Sequence, residues 1–578
     1  MSEPLPASPP LLRLDLTEPH RHLVEARFTF TPKIPHPKLR LPAWTPGSYL
    51  IRDYVRHLEG LQAWQGNQHL SLFGDASEGW SLQLTCLDPV EVCYRIMATE
   101  LTVRTSHLNG DHGFLALAGV ALRIESERWS PHHLELCLPP EWRAFVALPQ
   151  DDRGRWLASS FDQLIDTPLE VGPHPCHGFT VAGVPHRWVS WGGDLAAMDG
   201  GWLEDVERVC LACCRLMGES APAASHYLFI LHLTEKGYGG LEHDFSSVLQ
   251  FGRRQLAEPD GRRRLLQLVA HEYLHQWNVR RLRPAELTPI DYDRPMVVPS
   301  LWFAEGITSY VDQLIPFAAG IDNETTVLED LGKDLNRYLL TPGRRIQSLR
   351  QSSQEAWVKL YRPDAYSADN QISYYLKGAV VAMVLDLHLR RHNSHLGLVL
   401  QDLWASHGRW GKGYLESDLI QAFQGHSADL STLLPHWLNS TDDPPIDSYL
   451  DDVGVRLVSE SCRTPHMGWT TEADGKGALR LKRVERDGPA ERAGLQVGDE
   501  LLAIEGQRLL HPQDLDPIWA AGDLFSPSLT ILFCRDGMVR HAVVCPSPPA
   551  IKVWRLEIDP ACGEGKRERR LRWLRLEP

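Results

Sequence analysis

The chain has 578 residues, 43% of them hydrophobic and 23% charged, with a formal net charge of −15 and an isoelectric point near 5.9. That length exceeds what one hydrophobic core fills, so roughly three or four domains of a soluble globular protein are expected. The acidic balance argues against general affinity for nucleic acid or anionic membrane and mildly favours cationic ligands, a free peptide amine among them.

The opening stretch MSEPLPASPPLLRLDLTEPH lacks a basic start and an apolar run of signal-peptide length, and no run of 18 apolar residues follows it, so no membrane span is expected. The 11 cysteines, scattered from Cys86 to Cys562, do not read as a disulfide framework, and a reducing cytoplasm is the expected location. Cys210, Cys213 and Cys214 cluster in the apolar helical run VERVCLACCRLMG with no second pair at metal spacing, so they read as packed thiols.

Residues 1–180 read as a β-rich domain: Val24, Ala26, Phe28 and Phe30 alternate with polar positions, as do Leu134, Leu136 and Leu138. Within it TPGSYLIRDY combines a Pro-Gly turn, two tyrosines and an Arg-Asp pair, which suits either a functional loop or a corner buried against the next domain. A second domain is expected over 181–450. It opens with the strand-like HRWVSWGG, a helix near 202–217 and the strand-like HYLFILHLT, which leads into GYGGLEH.

The run LLQLVAHEYLHQWNV, residues 265–279, is expected as a helix. His271 and His275 then leave one face a turn apart and can bind one metal ion, while Glu272 can reach a water molecule at that ion. Leu266, Val269, Tyr273 and Trp277 form an apolar stripe facing elsewhere. A catalytic zinc needs three protein ligands and one open position, and Glu305 in LWFAEGITSY, after 29 intervening residues, is the candidate for the third. Helical patterns follow near 306–317, 324–340, 373–391 and 416–424. From 455 to 548 the pattern changes to alternating strands with a Gly488-Pro489 turn and a short helix, and a basic tail with Trp573 closes the chain over 549–578. That tail reads as a docked amphipathic end.

HEYLHQWN followed by WFAEG resembles the gluzincin metallopeptidases. With PAWTPGSYLIRDYVRHL at 42–58, GYGGLEHDFSS at 237–247 and a C-terminal segment similar to a PDZ domain, the chain resembles the glycyl aminopeptidase family. The resemblance implies a multidomain α+β protein: an N-terminal β-rich domain, a thermolysin-like catalytic domain with a helical lobe, and a C-terminal PDZ domain. It implies one Zn2+ per chain held by His271, His275 and Glu305, with Glu272 as catalytic base. It also implies a peptide substrate whose free amino terminus is held by Glu242 beside Gly239 and Gly240, with preference for small residues such as glycine and alanine. A fixed carboxylate at a strand edge favours a bound ammonium. Tyr375, in a Y-x-K-G run, is implied as the phenol that stabilises the oxyanion, with adjacent Tyr374 the alternative. His466-Met467-Gly468-Trp469 stands where PDZ domains receive a peptide C-terminus, with residues 511–521 as the groove helix, although it departs from the usual G-L-G-F-like run. Two other functions stay open: a zinc endopeptidase, and a PDZ binding protein with an inactive peptidase domain.

Overall fold

The computed structural model describes residues 8–474, 477–511, 514 and 528–578. It divides into two compact units: Met1–Val298 with Leu314–Asp322 and Gly397–Ala422, and Pro299–Gln313 with Asn323–Leu396 and Phe423–Pro578.

The first unit is β-rich at its amino end. Leu11–Asp15 runs parallel to His132–Cys137 and antiparallel to Leu23–Phe30, inside a seven-stranded sheet. The alternation along Leu23–Phe30 buries Val24, Ala26, Phe28 and Phe30 as expected. Along His132–Cys137 only the first part of the pattern holds: Leu134 is buried, while Leu136 and the following Leu138 are half-exposed where the strand runs out. Two four-stranded sheets complete this region.

A five-stranded sheet follows in the same unit. Val184–Trp191, Tyr227–Thr234 and Ser246–Gly252 are mutually parallel, and Tyr238–Glu242 closes one edge antiparallel to Ser246–Gly252. Seven of the eight residues of Tyr227–Thr234 are buried, the continuous apolar reading of a strand covered on both faces. The helices Trp202–Leu216 and Gly261–Leu274 pack against each other there, and Cys210, Cys213 and Cys214 are buried free thiols on the first of them.

The second unit is helical, then β. Helices at Glu324–Leu339 and Tyr374–Arg391 follow the predicted patterns, and the latter is buried over nearly its whole length. Its Asp386 accepts a hydrogen bond from Tyr310 at 2.9 Å, and the Tyr310 hydroxyl accepts one from Trp573 Nε1 at 2.6 Å. This chain of bonds docks the C-terminal helix Glu564–Leu574. The PDZ-like segment forms a sheet around Leu479, Leu481, Val484, Ala490, Leu501 and Ile504. Apart from His511 and Asp514, the groove helix expected over 511–521 lies outside the described residues. No helix among the described residues is long and apolar enough to cross a membrane.

Candidate active site

The helix that carries the first candidate ligands spans Gly261–Leu274, shorter than the expected 265–279. Its start admits only glycine, because a Cβ on Gly261 would stand 2.2 Å from the Gln255 carbonyl oxygen. Leu265, Leu266, Val269, Ala270 and Tyr273 are buried and anchor it. His275 is the C-cap, and beyond it the chain tightens: Gln276 N–H bonds to Tyr273 O and Trp277 N–H to Leu274 O. Trp277 therefore packs from the turn and not from the helix, although it is fully buried as expected.

That early stop has a chemical consequence. The chain turning back puts the Asn278 carbonyl 2.7 Å from His275 Nδ1, which donates to it and leaves Nε2 with its lone pair for a metal. Val279, next in line, has φ 114°, a strained value for a β-branched residue. The His271 and His275 rings lie 4.7 Å apart, edge to face. His275 is buried and His271 is half-exposed, as suits a site reached from one side.

The edge strand Tyr238–Glu242 passes directly over Glu272. A Cβ on Gly240 would fall 2.1 Å from Glu272 Oε1, so only glycine lets strand and carboxylate meet. Gly239 has open space around its Cβ position and Tyr238 is exposed, so this stretch of the edge faces solvent. The Gly240 carbonyl accepts from Arg104 Nη2 at 3.3 Å. Glu242 and Glu272 are both buried, and with His275 they bring a ligand atom each within 4.8 Å of one another.

The TPGSY turn also belongs to this site. Gly47 has φ +77°, and a Cβ there would stand 2.7 Å from Glu242 Oε2 and 2.8 Å from Oε1. Arg52 holds the turn by donating to Ser48 Oγ at 2.7 Å, and Trp44 Nε1 donates to the Asp291 carbonyl at 2.8 Å. The motif is thus a buried corner packed against the Glu242 carboxylate. Nearby Arg280 is clamped by Asp166 at 2.7 Å and Asp244 at 2.8 Å. Burial opposes its charge, but the carboxylates of Asp166, Asp244 and Glu242 hold its pKa above the ordinary guanidinium value. His243, unassigned in the sequence, points its Nδ1 at Asp166 from 3.2 Å.

In the second unit Glu305 lies on the turn Trp302–Gly306, which has a π-helical pattern and runs into the helix Ile307–Ala318. Such turns are rare and recur at functional sites. All five residues of the turn are buried. A Cβ on Gly306 would meet the Gly378 Cα at 2.5 Å, so two glycines allow the turn to lie flat against the helix Tyr374–Arg391. On that helix Tyr374 is fully buried, while Tyr375 is half-exposed with its hydroxyl 3.3 Å from the Tyr361 hydroxyl. Lys377 is buried and donates to the Arg344 carbonyl at 3.3 Å, and burial pushes its pKa down to about 8.

The HMGW loop of the PDZ-like segment is held at its first residue. The His466 N–H already bonds to the Ser547 carbonyl at 2.9 Å. Its Nε2 lies 2.7 Å from Glu485, a hydrogen bond that raises the imidazole pKa.

Three family models match the chain. Residues 264–381 match the family model of the M61 glycyl aminopeptidase, residues 11–173 that of the peptidase M61 N-terminal domain, and residues 480–523 a PDZ domain. The chain belongs to the M61 glycyl aminopeptidase family. An aminopeptidase N family protein from Idiomarina loihiensis superposes with a TM-score of 0.90 at 26% identity, covering 98% of this chain and 100% of that one. More distant are a two-domain M1 zinc metallopeptidase bound to L-tryptophan (13% identity, TM-score 0.48, 76% of this chain and 95% of that one) and Legionella pneumophila aminopeptidase A in complex with aspartic acid (13%, 0.47, 96% and 57%). No curated protein is significantly similar in sequence. This M61 protein is a peptidase, and its kinship is with the metallo-aminopeptidases.

Proposed function

We propose that this M61 protein is a zinc aminopeptidase that removes small residues, glycine or alanine, from the free amino termini of peptides. The observation that carries the reading is the buried group of Glu242, Glu272 and His275 beside an edge strand that is open at Gly239. The donor set fits zinc: two imidazoles one helical turn apart, one of them with its tautomer fixed by Asn278, and a carboxylate candidate in Glu305 at the sequence spacing of the family. A zinc ion held by His271, His275 and Glu305 would polarise the scissile carbonyl and lower the pKa of a water molecule.

The remaining steps belong to the chain. The substrate backbone aligns along the Gly239–Gly240 edge, and Glu242 receives its ammonium in a pocket walled by Gly47. Two carboxylates this close favour a cation between them, which selects the charged amino terminus over a blocked one. Glu272 takes the proton of the attacking water and returns it to the leaving amine. Tyr375 donates its hydroxyl proton in a hydrogen bond to the developing oxyanion. Its partial exposure, against the full burial of Tyr374, favours it for that part. A peptide C-terminus is proposed as the ligand of the PDZ domain, and the cytoplasm as the location.

The test uses glycyl and alanyl amides, free and N-acetylated. Free amides are expected to be cleaved and acetylated ones left intact, because acetylation removes the charge that Glu242 recognises. Efficient interior cleavage of an N-blocked peptide would make the protein an endopeptidase.

A further inference from the structure

A second group of buried ligand-type side chains lies away from the active-site helix, in the first unit. Glu170 is fully buried on the strand Leu169–Gly172. His112 Nδ1 lies 2.9 Å and His174 Nε2 3.1 Å from its Oε1, and His232 Nε2 lies 2.8 Å from its Oε2. His112 and His232 have no exposed surface. His112 stacks on Trp191 with ring centres 4.0 Å apart, and His232 meets Phe114 edge-on at 4.9 Å. These aromatic walls exclude water, and Gly172 leaves the room: a Cβ there would fall 2.6 Å from the His174 ring.

Hydrogen bonding alone does not satisfy this group. His112 Nε2 and His232 Nδ1 are buried and have no hydrogen-bond partner among the described residues. A buried polar atom without a partner costs roughly 1–3 kcal/mol. Among the described residues no lysine or arginine forms an ion pair with Glu170; its near neighbours are the three imidazoles. A carboxylate sealed among three imidazoles, two of which keep a buried nitrogen without a partner among the described residues, is the environment of a cation.

We propose that His112, Glu170 and His232 hold a second divalent transition-metal ion, with zinc the best match to a donor set of two imidazoles and one carboxylate. One ligand atom from each of the three lies within 4.8 Å of the other two. His174, beside Glu170 Oε1, orients the carboxylate from outside the ligand set. With all three ligands fully buried no substrate reaches the ion, so its role is structural. His112 adjoins the strand Gly113–Leu115, Glu170 lies on the strand paired with it, and His232 lies on Tyr227–Thr234 in the five-stranded sheet. The ion therefore clamps the N-terminal β region to the sheet whose edge carries Gly239 and Glu242.

The experiment measures metal in the full-length protein after equilibration with Zn2+ and dialysis against a weak chelator. About two equivalents are expected for the wild type and one for the His271→Ala/His275→Ala variant, which removes only the ligands of the active-site helix. Diffraction from wild-type crystals at the zinc edge should give an anomalous peak between His112, Glu170 and His232. A metal-free His271→Ala/His275→Ala variant, or a map with no peak at that position, overturns the proposal. Zinc missing from His271 and His275 but present at His112 would instead count against the proposed function and leave this site standing. Wild-type crystals keep the test decisive even if the His271→Ala/His275→Ala variant fails to fold.

Discussion

Two buried carboxylate and imidazole groups lie in the first unit and differ in access. Glu242 lies on, and Glu272 and His275 lie close to, an edge strand that is open at Gly239, whereas His112, Glu170 and His232 are walled by Trp191 and Phe114. Similar side chains thus suit different ends. Where substrate can arrive, a carboxylate left beside the ligands can move protons. Where nothing can arrive, the same donors can only hold an ion and the strands around it.

The sharpest way to break this comparison is to neutralise one carboxylate in each group. Glu272→Gln is expected to retain the metal and the unfolding midpoint while kcat falls by about 10³-fold or more, within the range of a lost general base acting in both proton transfers. Glu170→Gln is expected to do the reverse: turnover per folded molecule stays close to wild type, and stability to urea falls by about 3 kcal/mol, as when one partner of a buried charged group is removed. Loss of metal from Glu272→Gln would move that residue into the ligand set. Loss of turnover without loss of stability in Glu170→Gln would end the structural reading of the sealed group.

The two groups also differ in how far they could be read in the sequence. His271, Glu272 and His275 lie within one helical turn and a half, so period 3.6 alone put them together. His112, Glu170 and His232 are brought together only by the pairing of Gly113–Leu115 with Leu169–Gly172 and by the packing of that sheet on Tyr227–Thr234. No local pattern carries that. The fold class was legible because burial follows alternation in the N-terminal strands and helical period in the lobe. The end of the active-site helix was not, because the Asn278 carbonyl turning back to His275 interrupts a run that is helical by propensity up to Val279. The Pro-Gly turn at 46–47 could be read as a turn, but that it faces Glu242 depends on a contact across about 195 residues.

The glycines against the open group give a finer test. Gly240→Ala puts a methyl where Glu272 Oε1 now lies, and Gly47→Ala puts one against both Glu242 oxygens at a φ that alanine adopts poorly. Displacing a base by about 1 Å costs on the order of 10²-fold in rate. Gly240→Ala is accordingly expected to lower kcat by about 10²-fold. Gly47→Ala should fall mainly on KM for free amino termini, by about tenfold. Equal effects on kcat from both would mean that the two carboxylates do not have separate duties.

The smallest effect concerns a buried charge that neither group contains. Lys377, in the second unit, is enclosed with carbonyl oxygens of Arg344 and Ser440 as hydrogen-bond acceptors, and burial lowers its pKa from 10.5 to about 8, with Asp443 opposing the shift. The sign follows from proton binding: between about 8 and 10.5 the unfolded chain holds this proton and the folded chain does not, so stability rises with pH across that window. Below about 8 both states are charged and the folded state bears the full cost of burial. From pH 7 to pH 9 the expected gain is about 1 kcal/mol, read as a difference in urea midpoint between wild type and Lys377→Met, since other groups titrate alike in both. Lys377→Met should lack this gain. An identical pH profile for the two proteins would show that Lys377 stays charged in the fold, and that carbonyl oxygens with a distant carboxylate compensate a buried cation as well as a sealed cluster compensates Glu170.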